Sequence, residues 1–245
     1  MISTQELDKL VSNYETKEFI KNDPIQFPHR FTDKRDIEIA GFLASLVAYG
    51  KRELFIKKLE QLFKIAQNEP HNFIINFEPK ILGDFNYRFG KTEDFVSIFL
   101  VLQKLYKQNA GLEELFKHGY QTHKNLFIPV TDYFYENVKN ITPGFKFMIP
   151  IASNGCAMKR MCMYLRWMIR KEPVDLGIWD FMPTSELFIP LDVHVARVSR
   201  NLGLLKRNSN DFKAVIELTD NLKKFDSIDP IKYDFALFGY GINTR

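Results

Sequence analysis

Residues 153–171, SNGCAMKRMCMYLRWMIRK, and residues 189–204, IPLDVHVARVSRNLGL, decide how this chain is read. The first stretch opens on Asn154-Gly155, a turn-forming pair, and then runs free of glycine and proline, so a helix is expected over 156–171. On that helix Ala157, Met161, Leu165 and Met168 recur as a buried stripe, while Lys159, Met163, Arg166 and Arg170 set three cations along a second face. Arg166 and Arg170 on such a face read either as a nucleic-acid contact or as an ordinary solvated or carboxylate-paired surface. The second stretch places Asp192 just after Pro190-Leu191 at the start of another helix, which should end near Gly203. Lys159 and Asp192 therefore put an amine and a carboxylate on two helix N-termini, 33 residues apart.

Outward from this pair the pattern stays helical. Residues 172–189 form a linker with two prolines and Trp179; Asn210 or Asp211 begins a helix through Leu222, and Asp229-Pro230 opens a last one ending at Gly239 or Gly241. Toward the N-terminus, Leu7, Leu10 and Val11 predict a helix over 4–14, and the irregular stretch after it, 23–29, is expected to complete a lid over a core. Ile37, Ala40, Gly41, Ala44 and Ala48 give a small-residue stripe on which another helix can approach closely; a second helix follows a break at Gly50-Lys51. Further helices are expected from a cap at Thr92, with Asp94 in the first turn, and over 112–121 and 129–137. Residues 143–154 read as a loop, and 145–149 is the one place that interrupts a purely helical pattern. No period-two alternation persists elsewhere, so the fold class is all-α.

The 245 residues suffice for one large domain, or two lobes sharing an interface, needing no disulfide or metal. The N-terminus lacks a signal pattern and the longest apolar runs, 41–50 and 95–102, are about half of the roughly 20 residues that span a bilayer, so a cytoplasmic protein with no membrane partner is expected. Cys156 and Cys162 are six apart and would face different sides of a helix, and the histidines at 29, 71, 118, 123 and 194 are scattered; neither a metal nor a cofactor is expected. The net charge of +4 is uneven: 146–207 carries ten Lys/Arg against five Asp/Glu, leaving the remainder at −1. Such a cluster suits a polyanion, and equally suits a solvated helix face.

Taken singly, both polar residues have ordinary explanations. Aspartate is among the best N-caps, and a lone lysine is usually a surface residue, although a cation at a helix start faces an unfavourable dipole. An ammonium so placed, near Arg160 and apolar Met158 and Met163, is disfavoured in a way that helps make an amine nucleophile.

A turn, Gly155, Lys159 on the following helix, and Pro190-Leu191-Asp192-Val193-His194-Val195 with Arg197 beyond it together resemble the helix–hairpin–helix DNA glycosylase superfamily. The 33-residue interval is similar to that of the archaeal 8-oxoguanine glycosylase branch. The stretches 156–179, 189–207 and 229–242, with Tyr49-Gly50 and Tyr87-Arg88-Phe89, resemble a bacterial family of unknown function in that superfamily. The hairpin carries Asn154-Gly155-Cys156 where Gly-Val-Gly is common, and the iron–sulfur cysteines of the endonuclease III branch are absent.

The resemblance implies a two-lobed all-α fold with the active site in a cleft between lobes, and a monomer acting on double-stranded DNA that contains a damaged base. It implies Lys159 as the nucleophile at C1′ and Asp192 as the group that stabilises the sugar cation and assists proton transfer. Asn154, Gly155, Cys156 and Arg160, with Arg166 and Arg197, would hold a DNA phosphate. Asp234 and Phe238, with Tyr49, would form the base pocket, although Phe238 also reads as core and Asp234 as a helix-start acid. The expected activity is that of a DNA glycosylase and lyase in base excision repair, excising an oxidised purine such as 8-oxoguanine through a Schiff base on Lys159. The alternatives are a catalytically silent DNA-binding module on the same fold and a monofunctional or RNA-acting relative, which would leave Lys159 without a task.

Overall fold

A computed structural model gives the fold and describes residues 2–122, 125–171 and 173–243; His123 and the linker's first residue, Glu172, lie outside them. The described residues are helical with no strand, an all-α protein. In chain order the α-helices are α1 Thr4–Tyr14, α2 Lys17–Ile20, α3 Lys34–Val47, α4 Arg52–Ile65, α5 Pro70–Ile75, α6 Thr92–Lys107, α7 Leu112–Thr122, α8 Ile128–Asn137, α9 Pro143–Met148, α10 Lys159–Ile169, α11 Val193–Asn201, α12 Phe212–Leu222 and α13 Tyr233–Asn243. None is long and apolar enough to cross a membrane. The chain divides into two compact units: a split unit of Met1–Asp23 with Gly155–Arg245, and a continuous unit, Pro24–Asn154. The opening segment expected as one lid is thus divided, with α1 and α2 in the split unit and the 3-10 turns Pro24–Gln26 and Pro28–Arg30 packed on α3 in the other.

The continuous unit is built around α3, whose residues from Ile37 to Val47 are all buried. Its helix starts because the Asp33 carboxylate accepts the N–H groups of Arg35 and Asp36, and its small stripe lets α4, α5 and α7 pack close. Aromatic edges and faces fill the rest: Phe42 on Phe134, Phe73 and Phe77 on Phe99, Phe85 on Phe95, and Phe116 on Phe127. Two details differ from expectation. Thr92 is the first helical residue rather than the cap: its hydroxyl donates to the Phe85 carbonyl at 2.9 Å, while Asp94 reaches back to the Lys91 N–H at 2.7 Å. Residues 143–148 are helix α9 rather than loop, because Thr142 caps the Phe145 N–H at 3.0 Å and Pro143 supplies a pre-set first turn. The Thr142 hydroxyl also donates to buried Asp94, tying the starts of α6 and α9 together.

In the split unit α10 starts at Lys159, three residues later than the pattern suggests, because Met158 is left-handed (φ 49°, ψ 28°) and breaks the helical backbone. It ends at Ile169, where Arg170 turns extended. The linker then folds back, Leu176 and Gly177 donating to the Trp167 carbonyl and Trp179 to that of Met168, so the orphan carbonyls of the last turn are satisfied. From Met161 to Ile169 every residue of α10 is buried. The face that carries Arg166 and Arg170 is therefore interior, a correction to its reading as a solvent-facing cationic stripe. Helices α1 and α11 both pack on α13. That helix runs past both glycines to Asn243 because they make room for neighbours: a Cβ at Gly239 would lie 2.3 Å from Cγ of Tyr14, and one at Gly241 3.1 Å from Cγ2 of Val198.

Candidate active site

Asp192 caps α11 with one oxygen, Oδ1 accepting the N–H groups of His194 and Val195 at 2.8 Å each. Its second oxygen, Oδ2, faces the amine at the start of α10, 3.6 Å from Nζ of Lys159. One carboxylate thus caps its helix and still turns an oxygen toward the amine. The amine is about a third exposed and the carboxylate 11% exposed, so the pair sits at an opening of the split unit rather than in its core.

Next to this pair the sequence-derived phosphate contacts separate. Gly155 (φ 72°) holds a left-handed turn in which a Cβ would meet nothing, and its carbonyl accepts the Phe212 N–H at 2.8 Å. Half-buried Cys156 bridges Asp211, and exposed Gly155 precedes it, while Asn154, also exposed, ends the continuous unit. Met158 at the N-cap makes no side-chain capping bond, and Arg160 lies half-buried in the first turn of α10. Arg197 is exposed and donates to the Gly241 carbonyl at 2.7 Å, linking α11 to the end of α13. Arg166 departs from the phosphate-binding expectation: buried at 4% exposure, its Nε meets Asp175 at 3.2 Å and its Nη1 binds Asp234. A guanidinium so buried faces these carboxylates rather than a phosphate in solvent.

Asp234 likewise differs from a plain pocket residue. It is buried, and among the described residues its hydrogen-bond partner is Arg166. Burial pushes its carboxyl up to about 7; Arg166 opposes this, Asp192 reinforces it and Lys159 opposes it. Its charge is therefore coupled to the amine–carboxylate pair. Phe238, one turn on, packs edge-on against Phe19 and His194, with centroids 6.4 and 6.3 Å away.

Sequence reading allowed carboxylate partners for Arg166 and Arg170 on a surface face, but not a buried ionic layer. Arg170 binds Glu15, meets Asp175 at 3.1 Å and pairs with Asp229 at 2.8 Å, and Phe235 lies flat under both guanidinium groups, 4.3 Å from that of Arg166. Burial raises the Glu15 and Asp175 carboxyls even against these arginines. The signal available was the i, i+4 spacing of Arg166 and Arg170 inside an otherwise apolar helix, which required buried carboxylates somewhere. Their identity was not local: Glu15 is 155 residues from Arg170.

The family model described as a protein of unknown function (DUF2400) matches residues 23–243. The chain belongs to that family. No curated protein and no solved structure matches it significantly. The matched span contains Lys159, Asp192, Arg166 and Asp234, whereas Glu15 and Phe19, which pack into the same unit, precede it.

Tyr49 lies in the continuous unit and is described there alone. Its hydroxyl donates to the Tyr87 carbonyl at 2.7 Å and the Tyr87 hydroxyl returns a bond to the Tyr49 carbonyl at 2.5 Å. Its ring packs on those of Tyr87, Phe89 and Phe147. Phe89 is 56% exposed, with the exposed Arg88 guanidinium 5.6 Å from its ring, and Lys146 adjoins Phe147. The loop is held by the Tyr87–Gly90 bridge and by Arg88, whose side chain closes over Gly50 (φ 84°). An exposed aromatic and basic cluster fixed by backbone hydrogen bonds is a surface on which unpaired bases can stack.

Proposed function

We propose that this protein is a DNA glycosylase with lyase activity, a relative of the helix–hairpin–helix glycosylases in fold as well as chemistry, acting on an oxidised purine such as 8-oxoguanine. The observation that carries the reading is the approach of Lys159 to Asp192, an amine and a carboxylate brought to 3.6 Å from helix starts 33 residues apart. In this mechanism the neutral Nζ of Lys159 bonds to C1′ as the N-glycosidic bond breaks. The bonding pair leaves with the base, which takes up a proton, and sugar-ring opening leaves a protonated imine. Removal of a C2′ proton then expels the 3′ phosphate. Oδ2 of Asp192 lies where it can stabilise the sugar cation and receive or return the proton of the amine.

Gly155, Cys156 and the first turn of α10 would hold a phosphate, with Arg160 and Arg197 adding positive charge. Phe238 would stack on the extruded base, and the Tyr49 cluster would contact the opened duplex. Borohydride reduction in the presence of a duplex containing 8-oxoguanine should trap a covalent complex, which Lys159→Gln abolishes. Absence of trapping on every oxidised base, or trapping that survives the substitution, refutes the catalytic reading. The second reading, a silent DNA-binding module, is favoured by the cap bonds of Asp192, which give the residue a structural task; it expects abasic-site binding unchanged by Asp192→Asn, with no strand scission.

A further inference from the structure

The ionic layer under Lys159 contains more carboxylates than cations. Asp192, Asp234, Asp175, Glu15 and Asp229 pair with Lys159, Arg166 and Arg170, and buried Asp23 lies near Arg166, six acids against three bases. An uncompensated buried charge is costly, so such a cluster favours holding a proton on one of its acids. Geometry singles out the acid. Asp175 is bound by both arginines, Asp192 has two backbone N–H groups, and Asp229 is a quarter exposed. Glu15 lies at the far end of the layer, on Arg170. Asp234 is buried with Arg166 as its partner.

Its place in the layer follows from the helix. Lys159 and Arg166 are seven residues apart on α10, hence on one face about 10 Å apart along the axis, and helical side chains lean toward the N-terminus. Arg166, and Asp234 paired with it, therefore lie along the face of α10 that starts with Lys159.

Resting on the catalytic reading above, we propose that Asp234 is a positioning residue that holds the balancing proton for Lys159 rather than a ligand of the base. When the ammonium of Lys159 releases the proton it must lose before attack, the Asp234 carboxylate takes one up through solvent, and the charge of the buried cluster is unchanged. When the cationic imine forms, Asp234 gives that proton back and pairs again with Arg166 as a carboxylate. The elevated position of its titration, set by burial against Arg166 and modulated by Asp192 and Lys159, agrees with this exchange. The other groups that act on it are Cys162 on α10, Asp175 on the linker and Asp192 on α11; Asp23 acts on Arg166, and Arg170 with Glu15 joins the layer through Asp175.

The test measures the rate of cyanoborohydride trapping on an abasic-site duplex as a function of pH, using the full chain. Asp234→Asn removes the negative charge that favours the ammonium, so the midpoint of the trapping profile should move down by about one pH unit. A residue that merely supports the fold would lower the rate equally at every pH, and an unshifted midpoint with normal trapping overturns the proposal while leaving the catalytic reading intact. Should Asp234→Asn fail to fold, carbon-13 NMR of aspartate carboxyls supplies a second arm. In Lys159→Met the Asp234 midpoint should rise by the amount by which Asp234 affects Lys159, because coupling is reciprocal. An Asp234 midpoint indifferent to Lys159 overturns the proposal. Wild-type protein that traps nothing defeats the catalytic reading instead, and the NMR arm still decides whether the two groups are coupled.

Discussion

The two units bury opposite kinds of material around the same kind of helix. In the continuous unit α3 and α6 meet their neighbours through Phe42, Phe73, Phe95 and Phe99, and the few buried acids, Glu38 and Asp94, are held by hydroxyl or backbone donors. In the split unit the central helix buries Arg166 and Arg170 against Asp175, Asp234, Glu15 and Asp229. An apolar core stabilises by removing surface from water, whereas a buried ion network roughly breaks even because each charge must be desolvated. The difference teaches that stability alone does not account for the second core. The charges share α10 with Lys159, whose amine faces Asp192.

Removing one guanidinium should give the largest effect. Arg170→Met leaves Glu15, Asp175 and Asp229 short of their cation and should cost about 3–5 kcal/mol in denaturant unfolding at neutral pH. The loss should shrink in acid, as the stranded carboxylates take up protons. Phe99→Ala, its counterpart in the continuous unit, should cost a similar ~3–5 kcal/mol that does not vary with pH. Equal pH behaviour in the two variants would erase the contrast between the cores.

Gly239→Ala tests how the N-terminal segment is fastened. A methyl 2.3 Å from the Tyr14 ring should destabilise by about 1–3 kcal/mol and expose α1 to proteolysis, with the continuous unit unaffected. Asp234→Asn should act through pH. A carboxyl pushed up from 3.8 to about 7 in the folded state binds its proton more tightly there than when unfolded. Its contribution is therefore favourable below about pH 4, and lost as pH rises toward 7. Stability measured at pH 8 relative to pH 5 should accordingly improve in the variant by roughly 1–2 kcal/mol over wild type. The smallest stability effect belongs to Phe89→Ala, within about 0.5 kcal/mol for so exposed a ring. Affinity for DNA carrying unpaired bases should nonetheless fall by about 1–3 kcal/mol of binding energy, read by fluorescence anisotropy.

Local rules explain what was legible in advance. The i, i+4 periodicity and the caps at Asp33, Asp192 and Asp211 fixed helices in place and made the chain all-α, since capping and helical contacts reach only a few residues along the chain. The same short reach misjudged Gly239 and Gly241, which look like stops until Tyr14 and Val198 are placed beside them. Lys159 and Asp192 could be recognised as the starts of two helices, and their resemblance to a family suggested a pair. Only tertiary structure decided that one oxygen of Asp192 caps its helix while the other faces the lysine, and that Arg166 turns inward to Asp234 rather than out to a phosphate. The physical reason is one of range. Backbone conformation is set by neighbours in sequence, but the state of a charge is set by whatever surrounds it in space, and here those partners come from as far as Glu15.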